Sequence, residues 1–249
     1  MAIIALIFGI GAAFIALERL RPGWELPSVP GWARRAVLLN GCQLAMVFVA
    51  GWTWDRWLTS ASLLGLDGQL PNWLGGLLGY LVSTFVYYWW HRARHRSDWL
   101  WRIFHQVHHS PSRIEVVTAF YKHPMEILAN GLLTSLIVYG LLGLSVEAAA
   151  WNTLFSAVAE FFYHINVRTP RWVGYIIQRP EMHHIHHARG QHSGNFGDLP
   201  IWDILFGTFI NPETFDGECG FDGGKEQRLR EMLLFRDVNR NGGARHKED

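Results

Sequence analysis

His91-Arg92-Ala93-Arg94-His95 is the stretch that decides how this chain is read, together with His105-Gln106-Val107-His108-His109 and, far downstream, His183-His184-Ile185-His186-His187. Most of the 13 histidines fall in these three clusters. Residues at i, i+3 and i+4 of a helix project from one face. The spacing therefore predicts that His91/His95, His105/His108/His109 and His183/His186/His187 each aim their imidazoles in one direction. Three such helices meeting would surround a common centre with nitrogen donors. Imidazole is the commonest protein metal ligand and suits Fe, Zn, Cu and Ni. Eight converging ligands exceed the four of a structural zinc site, so two metals are expected. One HxxxH or HxxH alone could be coincidence on a solvated helix, but nothing else in the composition calls for three.

Working outward, only 17% of the residues are charged, against about 25% in a soluble domain, and the charge is segregated. Uncharged runs cover Met1–Leu17, Ala36–Trp54, Gly68–Trp90, Ile127–Val146 and, more briefly, Ala148–Ala159. Runs near 20 residues match a bilayer core of about 30 Å. The expected fold is thus an all-α integral membrane bundle of about five spans, with a histidine-rich helical metal domain at one side. The fourth and fifth runs suggest a tight hairpin, and the fifth either spans or re-enters. Met1–Leu17 lacks the positive flank of a signal peptide. Gly9-Ile10-Gly11-Ala12-Ala13 has no βαβ context for a dinucleotide loop, so close helix packing is expected there.

Basic residues concentrate in 19–35, in 91–126 and after 164. The positive-inside rule then puts the N-terminus outside and the histidine clusters on the cytoplasmic side. Trp52, Trp54, Trp57, Trp89, Trp90, Trp99 and Trp101 lie near span ends, as an aromatic belt would. Three regions follow: an N-terminal transmembrane region over 1–72, a catalytic region over 73–210 and a polar tail over 211–249. In the tail a short amphipathic helix is expected over Lys225–Phe235, with Leu229, Met232 and Leu233 on one face and fraying after Asn239. A net charge of +1 gives no field for nucleic acid. Cys42 and Cys219 support neither a disulfide framework nor an iron–sulfur cluster.

Clusters just beyond span ends place metals at the lipid–water boundary, within reach of an acyl chain or sterol and of an electron donor from the cytoplasm. Two metals beside an apolar substrate suggest O2 activation and attack on an unactivated C–H bond. The ligand list alone does not choose iron over zinc. The rivals are a membrane zinc hydrolase with Glu160 or Glu181 as base, a metal transporter or sensor without turnover, and a bis-histidine haem protein.

The ordered set HxxxH, HxxHH and HxxHH resembles the fatty acid hydroxylase/sterol desaturase superfamily of membrane di-iron oxygenases. Supporting stretches are Leu100–His105, Lys122-His123-Pro124-Met125-Glu126, His164–Arg168, Pro180–His183, Asn195-Phe196-Gly197 and Trp202–Thr208. The resemblance covers about 75–210 and implies two irons, with zinc as a substitute, and O2 as co-substrate. It also implies electrons from a separate donor, cytochrome b5-like or a ferredoxin/reductase, since no HPGG, flavin or nicotinamide motif is present. Carried over residue by residue, it makes His91, His95, His105, His108, His109, His183, His186 and His187 the core ligands, with His164 as the ninth. Some members have a histidine four residues before that position, where this chain has Glu160. Glu160 would then coordinate, orient His164, or serve as an interfacial carboxylate, and His123 and His184 are the other candidates for a tenth ligand. The doubled HHxHH resembles the alkylglycerol monooxygenase branch. His192 and His246 are expected on the surface, and Asp203 and Trp202 are expected to fix the last helix. The implied setting is a bacterial inner membrane, or the endoplasmic reticulum for a eukaryotic chain, with an apolar lipid substrate drawn from the bilayer.

Overall fold

A computed structural model describes residues 2–59, 62–191 and 193–239. His192 and His246, and the segment after Asn239, lie outside the described residues. Five long helices carry the architecture: α1 (Ala2–Leu20), α2 (Trp32–Trp52), α3 (Asn72–Arg96), α4 (Pro124–Ser135, continued by a π-type turn over Leu136–Leu141) and α5 (Val146–His164). Shorter helices, among them Pro180–His186 and Pro200–Leu205, follow. Among the described residues there is no strand, only an isolated bridge between Ala188 and Cys219.

The starts of the helices are written locally. His123 precedes Pro124, which needs no N–H at the first helical position, and the His123 Nδ1 accepts from the Met125 N–H at 2.9 Å. Ser145 caps α5 by accepting from the Ala148 N–H at 3.0 Å. The turn before it needs Gly143, whose φ is +64° and where a Cβ would sit 2.5 Å from Ser62.

α3 and α5 form the central pair, and their seam is made of small residues. A Cβ on Gly76 would lie 2.3 Å from the Trp151 Cβ and 2.7 Å from the Ala148 carbonyl, so only glycine permits this approach. α1 lies on the other side of α5, with Gly11 against the Phe161 ring. The connection 142–145 is as short as a hairpin requires, yet α4 packs on α2 while α5 packs on α3 and α1.

Three stretches are long and apolar enough to cross a membrane: Ala2–Leu20, Trp32–Leu58 and Pro124–Leu141. Their outward residues, including Phe8, Val37, Leu38, Phe48 and Leu136, are exposed apolar side chains, as lipid-facing helices require. α3 and α5, the third and fifth of the expected spans, differ for a physical reason. They spend their surface on each other and on the histidine region, and carry Asn152, Tyr80, Ser83, Thr84 and His91 in place of uniform aliphatics. In the aromatic set, Trp52, Trp57 and Trp99 are exposed, but Trp101 is buried against the His95 and His109 rings.

Both ends of the described part of the chain are tied to its middle. The Glu18 carboxylate at the end of α1 accepts from the backbone N–H groups of Val116 (3.0 Å) and Asn166 (3.1 Å). Arg19 donates to Glu115 at 2.7 Å. The segment from Asn211 to Asn239 packs as part of the body rather than hanging free. Phe221, Leu229, Met232 and Val238 join Trp32, Leu39, Trp101, Val107 and Tyr121 in one core cluster. The helix expected over Lys225–Phe235 is divided into a 3-10 turn, Lys225–Gln227, and a short helix, Leu229–Leu233.

Candidate metal centre

The histidines converge as two groups. His91, His95, His105, His109 and His186 form one, and His108, His164, His183 and His187 form the other. Within each group one ligand atom per residue lies within 4.8 Å of all the others. Each HxxHH cluster thus divides its shared face between the two groups. Each cluster sends its i and i+4 histidines to one group and its i+3 histidine to the other. His105 and His109 are joined by His186, while His183 and His187 are joined by His108. The backbone contributes to this crossing. Trp101–His105 is a π-type turn, and His105, with φ −138° and ψ −25°, breaks helical register before Gln106–His109. The groups touch through His109 and His187, whose rings stack at 4.2 Å and 14°.

Carbonyl groups set the tautomers. The Nδ1–H of His91 donates to the Phe196 carbonyl (2.9 Å), that of His186 to Gly194 (2.8 Å) and that of His164 to Glu160 (2.8 Å). Each bond leaves Nε2 as a lone pair. The Gly194 and Phe196 carbonyls are presented by a braced loop. Asn195, at φ +54°, donates to the Met182 and Ile210 carbonyls (3.0 and 2.8 Å). Asp203 accepts from the Phe196 and Gly197 N–H groups (2.8 and 2.9 Å). This gives Asn195 and Asp203 a definite task that the sequence pattern alone did not reveal.

Two cations fit this donor set. His164 Nε2 is a lone pair by its tautomer, yet it lies 3.0 Å from His183 Nε2, while the buried Nδ1 of His183 has no hydrogen-bond partner. His105 Nε2 lies 3.2 Å from His109 Nε2. The Nε2 of His91 is buried and likewise without a partner. Nitrogen pairs so close, with orphaned ring atoms beside them, match ligands around a shared ion better than a hydrogen-bonded core. Burial first, and then neighbouring imidazoles, hold His108, His109 and His183 well below the ordinary histidine range. For His105 burial comes first and Arg94 second. Neutral imidazole is the form that ligates.

The three candidates for a tenth ligand lie in neither group. Both Glu160 carboxylate oxygens accept from Lys122 Nζ at 2.7 Å, and it is the backbone carbonyl of Glu160 that orients His164. His123 caps α4. His184 stacks on Trp24 at 4.0 Å and donates from Nδ1 to the Pro180 carbonyl. Glu181 accepts from the Thr169 N–H and hydroxyl (2.7 and 2.9 Å). Glu126, by contrast, touches a grouped histidine, His105, at 3.1 Å. It was visible in the sequence only as the end of His123-Pro124-Met125-Glu126.

An all-α membrane-type chain with two groups of converging histidines defines a class that comparison with known proteins makes specific. The fatty acid hydroxylase family model matches residues 76–208, more than half of the chain, and the protein belongs to that family. It is similar to the ornithine lipid hydroxylase OlsE of Rhizobium tropici, 35% identical over 149 residues, which are 58% of this chain and 44% of that one. It is also similar to the alkylglycerol monooxygenase of Homo sapiens (32% over 156 residues; 59% of this chain, 33% of that one). A methylsterol monooxygenase, erg25A, of Aspergillus fumigatus is 30% identical over 152 residues, 55% of this chain and 47% of that one. The chain thus spans less than half the length of these relatives. No solved structure matches it.

Proposed function

We propose that the protein is a membrane-bound di-iron oxygenase that uses O2 and external electrons to hydroxylate or desaturate a lipid. The observation that carries this reading is the pair of histidine groups, five and four residues, brought together inside a bundle with membrane-capable helices. The relatives, named for ornithine lipid, alkylglycerol and methylsterol, support a lipid substrate. The two irons, when bound, would supply the redox chemistry that activates O2. Hydroxylation balances as R–H + O2 + 2 electrons + 2 protons giving R–OH + H2O. Desaturation takes the same inputs, removes two hydrogens from adjacent carbons and releases 2 H2O.

The chain's own residues do the rest. Nine imidazoles would hold the metals, and the carbonyls of Glu160, Gly194 and Phe196 fix three of their tautomers. The four-histidine group is wholly buried and excludes water, while His91 and His95 in the other group are half-buried. Electrons come from a separate donor, cytochrome b5-like or a ferredoxin/reductase, on the cytoplasmic side of a bacterial inner membrane. A zinc hydrolase would more often use a general-base glutamate, and the two considered for that task, Glu160 and Glu181, are engaged by Lys122 and Thr169.

The decisive experiment is metal analysis of detergent-purified protein from iron-supplemented cells, followed by 18O2 incorporation into added lipids with a reductase present. About two irons per chain, with 18O-labelled alcohol from hydroxylation or an unlabelled alkene formed with O2 consumption from desaturation, would carry the proposal. Iron that neither loads nor supports O2 consumption would overturn it.

A further inference from the structure

We propose that Glu126 is the positioning residue of the five-histidine group, acting through His105, with Arg94 as its fixed counter-ion. The inference rests on the two-metal reading above. Glu126 sits in the first turn of α4 and is fully buried. Its Oε1 lies 3.1 Å from His105 Nδ1 and is ion-paired with the buried Arg94 guanidinium. Arg94 belongs to α3, between His91 and His95, and its guanidinium rests over the Trp90 ring at 5.4 Å.

Two partners compete for His105 Nδ1. Arg94 Nη1 is 3.1 Å away and can only donate. Were that bond to prevail, Nδ1 would be the acceptor and the proton would sit on Nε2, where it blocks ligation. Glu126 reverses the outcome. The carboxylate takes up the Arg94 N–H and accepts the Nδ1–H of His105, so that Nε2 keeps its lone pair beside His109 Nε2. A carboxylate behind a ligating imidazole also raises its basicity. Among the grouped histidines whose outer bonds are described above, His105 is the one held by a carboxylate; His91, His164 and His186 use backbone carbonyls.

The test is a Co2+ titration of the full chain in detergent, read by its absorption bands. H186A and H108A identify which binding step belongs to the five- and which to the four-histidine group. In E126L the step lost in H186A should weaken by about ten- to a hundred-fold, while the step lost in H108A stays at wild-type affinity and shows that the fold is intact. R94L/E126L should regain part of the lost affinity, because the competing donor is gone. E126Q, nearer in shape, should weaken the same step by less and serves if E126L does not fold. Wild-type affinity at both steps in E126L and E126Q, or equal weakening of both steps, would overturn the inference. Wild-type protein that binds no Co2+ would instead overturn the two-metal reading on which it stands.

Discussion

The five-histidine group and the four-histidine group are built from the same kind of motif and held in different ways. The first takes its ligands from the end of α3, from the 105–109 turn and from His186. It has a charged outer layer, Arg94 and Glu126. The second takes His164 from α5 and His108 from the opposite cluster, and its His164 leans on a neutral carbonyl. The nearest charged pair to that contact, Lys122 with Glu160, is satisfied within itself. The difference teaches that an HxxHH cluster is not a one-metal ligand set. Its i+3 member crosses to the other site, so neither group is complete until both clusters have folded together.

The largest effect should come from breaking one group at a time. His108→Ala and His186→Ala should each abolish turnover and reduce the metal content from two to one per chain by elemental analysis. If either variant lost both metals, the groups would have to be regarded as one unit.

Acid should expose a second contrast, between grouped histidines and the buried His184, which lies outside both groups. Burial pushes the His184 imidazole down to about 4, while its hydrogen bond to Pro180 works the other way. The unfolded chain takes up a proton below a pH of about 6.5 that the folded chain refuses. His184 therefore costs no stability above about pH 6.5. As pH falls from there toward 4, up to about 3 kcal/mol is lost. His184→Phe, which keeps a ring against Trp24, should flatten the acid limb of a denaturation-against-pH profile by up to one proton. An unchanged slope would mean that His184 is already solvated.

The α3–α5 seam supports both groups, and Gly76→Val should strain it by about 1–3 kcal/mol in detergent unfolding. Loss of stability with the relative affinities of the two groups unchanged would mark the seam as common scaffold; selective loss at one group would tie the seam to that group. The smallest effect should come from Glu160→Gln. It leaves Lys122 short of a partner and should cost about 1–2 kcal/mol, since the carboxylate is partly exposed. The metal count should stay at two, and a count of one would make Glu160 a ligand after all.

Much of this molecule is legible in its sequence. Uncharged runs mark α1, α2 and α4 because a bilayer demands uniform apolar surface, and the 3.6-residue period marks the histidine helices. Asn195 was legible only as part of a quoted stretch and Asp203 only as a brace for the last helix, because the loop they hold takes shape only when 195–197 and 203–210 fold together. Glu126 was hidden for the same reason: its partners, Arg94 and His105, are brought to it by other helices. In the tail the apolar face of Leu229, Met232 and Leu233 is legible, but its partners Trp32, Trp101 and Tyr121 are not, because they come from remote parts of the chain.

What the sequence by itself determined is local: which segments are helical, where they are apolar, and that nine imidazoles are available to bind metal. Which histidine serves which group is tertiary. Helical periodicity says only that residues i, i+3 and i+4 share a face. Dividing that face between two centres depends on the π-type turn at Trp101–His105, on the glycine seam that sets the α3–α5 distance, and on the carbonyls and the carboxylate that choose each tautomer.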